Sequence, residues 1–341
     1  MAPSIRRRPE GEQTDRAPFL HRTRHFRVIP NRAASRSVLL AALALPLAGC
    51  GEPKAPPPPD FEQDRAWAAL VQQVSFGPRY AGGRGAGRQA EWLLDQLKFR
   101  ADTVVEQRFM GVGEGGRDVP MSNVLARFRP ELKDRVLLVA HRDTRRRSDG
   151  SMEPLDRRFP TPGANLNASG VAVLMELTHL FRQQPPPVGV DLLLTDGDGV
   201  SRESNFAGTR HFLASMLGYR ARYAILVQGV GDRELLVPRD SLSVATAAEA
   251  TARVWAAAEQ LRYDSVFVDS VARPVENGAR ALAAAGIPVV VVADREYGPG
   301  NVRWHSVEDK VEFVSRETLG VVGRVIAAAL YAETPAAGGE P

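Results

Sequence analysis

The chain has one cysteine, Cys50, in 341 residues, so no disulfide can form within it. Lysine is scarce: Lys54, Lys98, Lys133 and Lys310 are all there are, and arginine carries nearly all the positive charge. That bias fits genome composition better than function. There is no excess of basic charge once the leader is set aside. Residues 1–49 hold nine arginines against three acids, a net of +6, while the whole chain is +4, so residues 50–341 sum to −2. The pI near 9.4 therefore belongs to the leader, and nothing in the charge argues for a nucleic-acid partner. No internal repeat is present. The apolar run Val38 to Leu47 is too short to span a bilayer as a helix of the mature protein.

That run has a setting. Arg32 and Arg36 precede it, and it ends in Leu47-Ala48-Gly49-Cys50. This order resembles a bacterial lipoprotein signal peptide with its lipidation box. The resemblance implies a diacylglycerol and an acyl chain on Cys50, hence stable membrane anchoring in the cell envelope. Residues 1–27 are polar and arginine-rich and fit no signal peptide, so translation is expected to start downstream, near Val28. Pro53 and Pro56-Pro57-Pro58-Pro59 then form a stiff tether. The expected organisation is a leader over 1–49, a tether over 50–60, one globular domain over 61–333 and a disordered tail over 334–341.

Periodicity organises the domain. Phe61 to Val74 and Gly87 to Leu97 read as helices, and Thr103 to Phe109 and Ser122 to Phe128 as a hairpin. Val136 to Ala140, Val190 to Thr195, Tyr223 to Gln228, Leu235 to Pro238 and Ile287 to Val292 read as strands. Helices are expected after Asn167, over Ala207 to Leu217, Ala247 to Leu261, Val275 to Ala285 and Arg316 to Tyr331. Alternation of this kind predicts an α/β fold: a mostly parallel central sheet with helices on both faces. Polar residues at the carboxyl ends of such strands mark the site. Here those are His141-Arg142-Asp143-Thr144 and Asp196-Gly197-Asp198-Gly199.

From Phe61 to Tyr331 the order of motifs resembles the zinc-dependent aminopeptidase family that includes the glutaminyl-peptide cyclotransferases. The matching pieces include Phe76-Gly77-Pro78-Arg79, Ala140-His141-Arg142-Asp143-Thr144, Pro162-Gly163-Ala164-Asn165, Asn167-Ala168-Ser169-Gly170, Asp196-Gly197, Gly286-Ile287-Pro288 and Trp304-His305-Ser306. The first of these looks like the cyclotransferase branch. The resemblance implies the zinc-exopeptidase fold and a zinc held by about three protein ligands with one open position.

The implied ligand positions are depleted. The loop aspartate matches Leu166, and the acidic ligand after the catalytic glutamate matches Gly199. The late histidine is retained as His305. The second-metal aspartate of the peptidases matches Gln228, the catalytic glutamate matches Asp198, and a further acidic position matches Asn277. His141 survives, with Asp143 as its orienting partner, and Trp304 stands beside His305. Carboxylates crowded around a dication repel one another once it is gone, so losses of this kind read as relaxation of a metal-free site. Leu166→Asp with Gly199→Glu is expected to rebuild a three-ligand site with His305.

Plainer roles are available. His141 and His305 read equally as polar core residues, Asp196 as a cap, Asn165 and Asn167 as turn and helix-start residues, and Arg145-Arg146-Arg147 as a solvated loop. His179 and His211 read as surface or packing residues. The leading expectation is a membrane-anchored pseudoenzyme without a cofactor that binds peptides or an envelope protein. One alternative is an active zinc peptidase or cyclotransferase using His141, Asp143, Asp198 and His305. The other is a structural envelope lipoprotein.

Overall fold

The computed structural model describes residues 57–199 and 206–335. The leader, Cys50, most of the tether and the tail beyond 335 lie outside the described residues. None of the described helices is long and apolar enough to cross a membrane.

The chain runs α1 (Gln63–Ser75), α2 (Arg84–Leu97), β1 (Thr103–Val112), β2 (Asp118–Phe128) and β3 (Arg135–His141). Next come α3 (Gly170–Gln183), β4 (Gly189–Thr195), α4 (Ala207–Ser215) and β5 (Tyr223–Gln228). The last part holds β6 (Arg239–Asp240), α5 (Ser241–Thr246), α6 (Ala248–Gln260), β7 (Val271–Ala272), α7 (Ala279–Ala284), β8 (Val289–Ala293) and α8 (Arg316–Tyr331). Six strands form one sheet in the order β1-β2-β4-β3-β5-β8. β4, β3, β5 and β8 are parallel, and the β1–β2 hairpin adds to them antiparallel. This is the α/β architecture that the alternating pattern predicts.

Two cores follow from the period of two along buried strands. Val136, Leu138 and Ala140 point to a layer containing α1, α3, α6 and α8. Leu137 and Val139 point to the opposite layer, with Phe212 of α4 and Leu282 of α7. Both faces are covered, which is why β3, β4 and β5 are apolar almost throughout. The exception is Asp191 in β4. It is fully buried and takes hydrogen bonds from Arg135 Nε (2.9 Å) and Nη2 (2.6 Å), Arg127 Nε (3.0 Å) and Tyr219 Oη (2.8 Å). Two guanidiniums make the charge tolerable there.

Two expectations need correction. Leu235 to Pro238 is not a strand; Pro238 lacks an N–H, and the short pairing falls one residue later, between Arg239–Asp240 and Val271–Ala272. The helix expected over Val275 to Ala285 covers only Ala279–Ala284. Asn277 Oδ1 accepts the Ala279 N–H at 3.0 Å, and Asp240 takes the Val275 N–H at 3.1 Å, so side chains divert the backbone before the helix. Helix α5 has no counterpart among the sequence expectations; Asp240 caps it through the Leu242 N–H at 2.8 Å.

Candidate functional site

The loops after β3, β4 and β5 open at the carboxyl end of the sheet. Connections leave β3 towards β4 on one side and β5 towards β8 on the other, so the chain reverses its winding there. A cavity of about 820 Å³ occupies this point, lined by His141, Asp198, Gly199, Gln228, Asn277, Trp304 and His305 among others. Seven positions singled out in the sequence thus meet at one place. Two do not line it: Leu166 is buried with its side chain near Gly229, and Asp143 lies fully buried behind the wall.

The loop before α3 is built by unusual backbone. Residues Ala164–Ser169 form a wide π-helical turn, a feature that recurs at functional sites. Asp309 holds it, accepting the N–H of Asn165 at 2.6 Å and of Leu166 at 3.3 Å. Burial raises the Asp309 carboxyl to about 6 in spite of these bonds. Arg79 closes the other side. It is wholly buried and donates to the carbonyls of Pro162 (2.9 Å) and Gly163 (2.6 Å). Burial lowers its guanidinium to about 10. Sequence reasoning quoted Arg79 only as part of a motif and missed Asp309, because a side chain that braces a loop has no periodic signature.

Asp143 is committed to the backbone. Its carboxylate accepts the N–H of Gly199 at 2.9 and 3.1 Å and of Asp198 at 3.2 Å, and lies 3.6 Å from His141 Nδ1. Asn167 Nδ2 stands 3.2 Å from the same Nδ1 and donates to the Asp143 carbonyl at 2.6 Å. The other nitrogen of His141, Nε2, is buried without a hydrogen-bond partner. Asp198 accepts both the N–H and the hydroxyl of Thr209. Burial raises its pKa, the Thr209 hydroxyl opposes that rise, and Asp143 nearby adds to it. Gly278 allows this approach, since a Cβ there would stand 2.4 Å from the Thr209 hydroxyl.

His305 sits at φ 52°, left-handed backbone that is uncommon for a residue with a side chain. Its carbonyl accepts the Gly150 N–H at 3.0 Å, and a Cβ on Gly150 would meet the Trp304 carbonyl oxygen at 2.0 Å. Burial, then Arg145 and His141, push its pKa well below the ordinary value, so the ring is neutral at pH 7. Gln228 and Asn277, both matched to acidic positions, bond to each other through Asn277 Nδ2 and Gln228 Oε1 at 3.4 Å. Two carboxylates at that separation would repel without a cation between them. Of the residues given plainer roles, His211 stacks on Phe109 at 4.2 Å, and Arg146 and Arg147 are exposed. Arg145, however, is half-buried, pairs with Asp149 at 2.6 Å and lines the cavity.

The sequence pattern of peptidase family M28 matches residues 123–330. The chain belongs to this family. Its structure is similar to that of a Zn-dependent exopeptidase from Parabacteroides distasonis, at 28% identity and a TM-score of 0.77 over 81% of this chain and 99% of that one. It is also similar to the glutaminyl cyclase of Tannerella forsythia, at 28% identity and a TM-score of 0.76 over 81% of this chain and all of that one. The glutaminyl cyclase of Bacteroides thetaiotaomicron aligns at 26% identity and a TM-score of 0.77. Among curated relatives, "Uncharacterized protein YfbL" of Escherichia coli is 38% identical over 134 residues, 37% of this chain and 39% of that protein. A "Probable zinc metalloprotease" of Pyrenophora tritici-repentis is 28% identical over 183 residues, 46% of this chain and 37% of that protein. The chain thus spans under two-fifths of the length of these curated relatives.

Zinc is named for two of these proteins, and the residues present here do not fit it. Among the described residues no three of His, Cys, Asp or Glu stand together as a metal would need. Asp143 is used by two backbone N–H groups and Asp198 by Thr209. Position 199 has no room for a carboxylate side chain: a Cβ on Gly199 would stand 2.6 Å from the Asp143 carbonyl oxygen and 3.0 Å from His141 Nδ1. A side chain at position 199 therefore requires this loop to move, and the Leu166 side chain is buried beside Gly229.

Proposed function

We propose that this chain is a metal-independent, ligand-binding member of peptidase family M28, tethered to the bacterial envelope through Cys50, with a peptide bound in the cavity at the strand ends. The observation that carries the reading is the loop at Gly199. Its N–H groups occupy the Asp143 carboxylate, and its Cα leaves no space for a side chain. A cavity of about 820 Å³ lined by Trp304, His305, Gln228 and Asn277, with Arg145, Asp149, Asp198 and Glu276, has the size and mixed polarity for a peptide of a few residues. Zinc content tests it. The purified chain is expected to hold well below one zinc per molecule after mild chelation and dialysis. Near-stoichiometric zinc would overturn the reading in favour of an active enzyme using His141 and His305, a possibility that the partnerless His141 Nε2 keeps specific.

Anchoring has its own test. Cys50→Ser is expected to move the protein from the detergent phase to the soluble fraction, with loss of attached lipid. Unchanged partitioning, with lipid still attached, would remove the anchor from the proposal.

A further inference from the structure

Strand β1 lies at the end of the six-stranded sheet, and among the described residues only β2 pairs with it. Natural edge strands are blunted by short length, bulges, lysine or proline, which discourage a second strand. β1 has none of these. It pairs with β2 without a break in register from Thr103 to Val112, and that stretch contains neither lysine nor proline. Three of its apolar side chains are open to solvent, Val105 at 43%, Met110 at 63% and Val112 at 41%. Helix α2 buries its Leu93 and Leu97 with Val124, Ala126 and Phe128 of β2. Along β1 it leaves a groove of about 550 Å³, lined by Glu106, Arg108, Phe109 and Met110 and by Glu91 of α2 among others.

The charges of β1 are arranged to meet their own copy. Glu106 and Arg108 are two residues apart, so they share a face, and Arg108 Nε lies 2.7 Å from Glu106 Oε2. When two identical strands pair antiparallel about a twofold axis, the axis must pass through a residue. The backbone groups that point outward belong to every second residue, so only positions of equal parity can face each other. With Gln107 on the axis, Glu106 faces the second copy's Arg108, and Arg108 faces its Glu106. Val105 then faces Phe109, and Val104 faces Met110. Moving the axis by one residue sets Glu106 against Glu106 or Arg108 against Arg108, and like charges directly opposite are destabilising. Further shifts shorten the overlap. Glu91 adds negative charge on the α2 side of the groove in every register. The other face of β1 carries Val105, Gln107 and Phe109, the last stacked on His211 at 4.2 Å.

We infer that β1 is a dimer interface: two copies of this chain join their β1 strands antiparallel about a twofold axis at Gln107, forming one continuous sheet. The pairing supplies partners for the outward N–H and C=O groups of β1 and covers its exposed valines and methionine. The cavity at the strand ends shares no residue with this edge.

Sedimentation equilibrium of the purified chain reads the association, in mild detergent so that neither the apolar leader run nor any lipid on Cys50 drives it. The parent is expected to dimerise in the micromolar range. Glu106→Arg and Arg108→Glu should each weaken the dimer at least about tenfold, because both opposed pairs become like-charged. Both side chains reach solvent, at 20% and 81% exposure, so both variants should melt with the parent. Mixing the two variants should restore a dimer, since each supplies the charge that the other lacks. The double variant, Glu106→Arg with Arg108→Glu, should restore it in a single chain. Gln107→Cys, made with Cys50→Ser so that it is the sole cysteine, should crosslink to itself under mild oxidation. Opposed Cα atoms about 4.5–5.5 Å apart lie within disulfide reach. A monomeric parent, equal association of parent and single variants, no recovery on mixing, or no Gln107→Cys crosslink would each overturn the inference. None of these outcomes depends on zinc or on occupancy of the cavity.

Discussion

Asp294 shows how much a single buried carboxylate can decide. It is 2% exposed and accepts the N–H groups of Arg295 (2.7 Å) and Glu296 (3.2 Å). Burial raises its pKa to about 7, and Asp232 nearby contributes. An unfolded aspartate titrates near 3.8, so between those two values the native state holds the proton more tightly. Stability from this group is complete below about pH 4 and is lost as pH rises through 7. Asp294→Asn should therefore gain stability over the parent progressively from pH 4 to 8. Thermal melts of both proteins across that range check it, and a pH-independent difference would contradict the assigned cause. Nothing in the sequence flagged Asp294, since its importance comes from burial. Leu166 and Gly199 drew attention for the opposite reason: the motif that the sequence resembles has acidic residues at those positions. The Gln228–Asn277 bond was only half legible, because residue types do not reveal that the two side chains meet.

At the scale of elements, the sheet was readable because its strands are short apolar runs bounded by turns. β3, β4 and β5 lie within one or two residues of their expected limits. Errors fell where a side chain overrides local preference, as Asn277 and Asp240 do around α7 and α5. Asp191 is the reverse case, a charge placed inside an apolar strand. Its partners Arg127 and Arg135 come from β2 and β3, so the cluster fixes the register of three adjacent strands. Asp191→Ala leaves the buried Arg135 guanidinium without its counter-charge and should cost about 3–5 kcal/mol. Urea denaturation would read this as a lower midpoint at unchanged slope. A loss under 1 kcal/mol would mean that the backbone carbonyls around Arg135 suffice alone.

For the molecule as a whole, the fold and the family were legible, and the position of the site followed from both. What sequence could not give was the packing around positions 166 and 199, and Leu166→Asp with Gly199→Glu tests whether that packing admits a metal site. Leu166 is 2% exposed, and an aspartate there buries an unpaired charge. Glu at 199 must push its Cβ away from a backbone oxygen at 2.6 Å, which requires the loop to release the Asp143 carboxylate. The double variant should melt below the parent with or without zinc. In a merely depleted site, zinc at a hundred times its Kd would add about 2.7 kcal/mol, roughly 5–10 °C for a domain of this size. A zinc-dependent rise of that order in the double variant, absent from the parent, would show that the loop yields readily and that the metal site is latent. Absence of the rise fits a loop held in place by the Asp143 carboxylate through the N–H groups of Asp198 and Gly199.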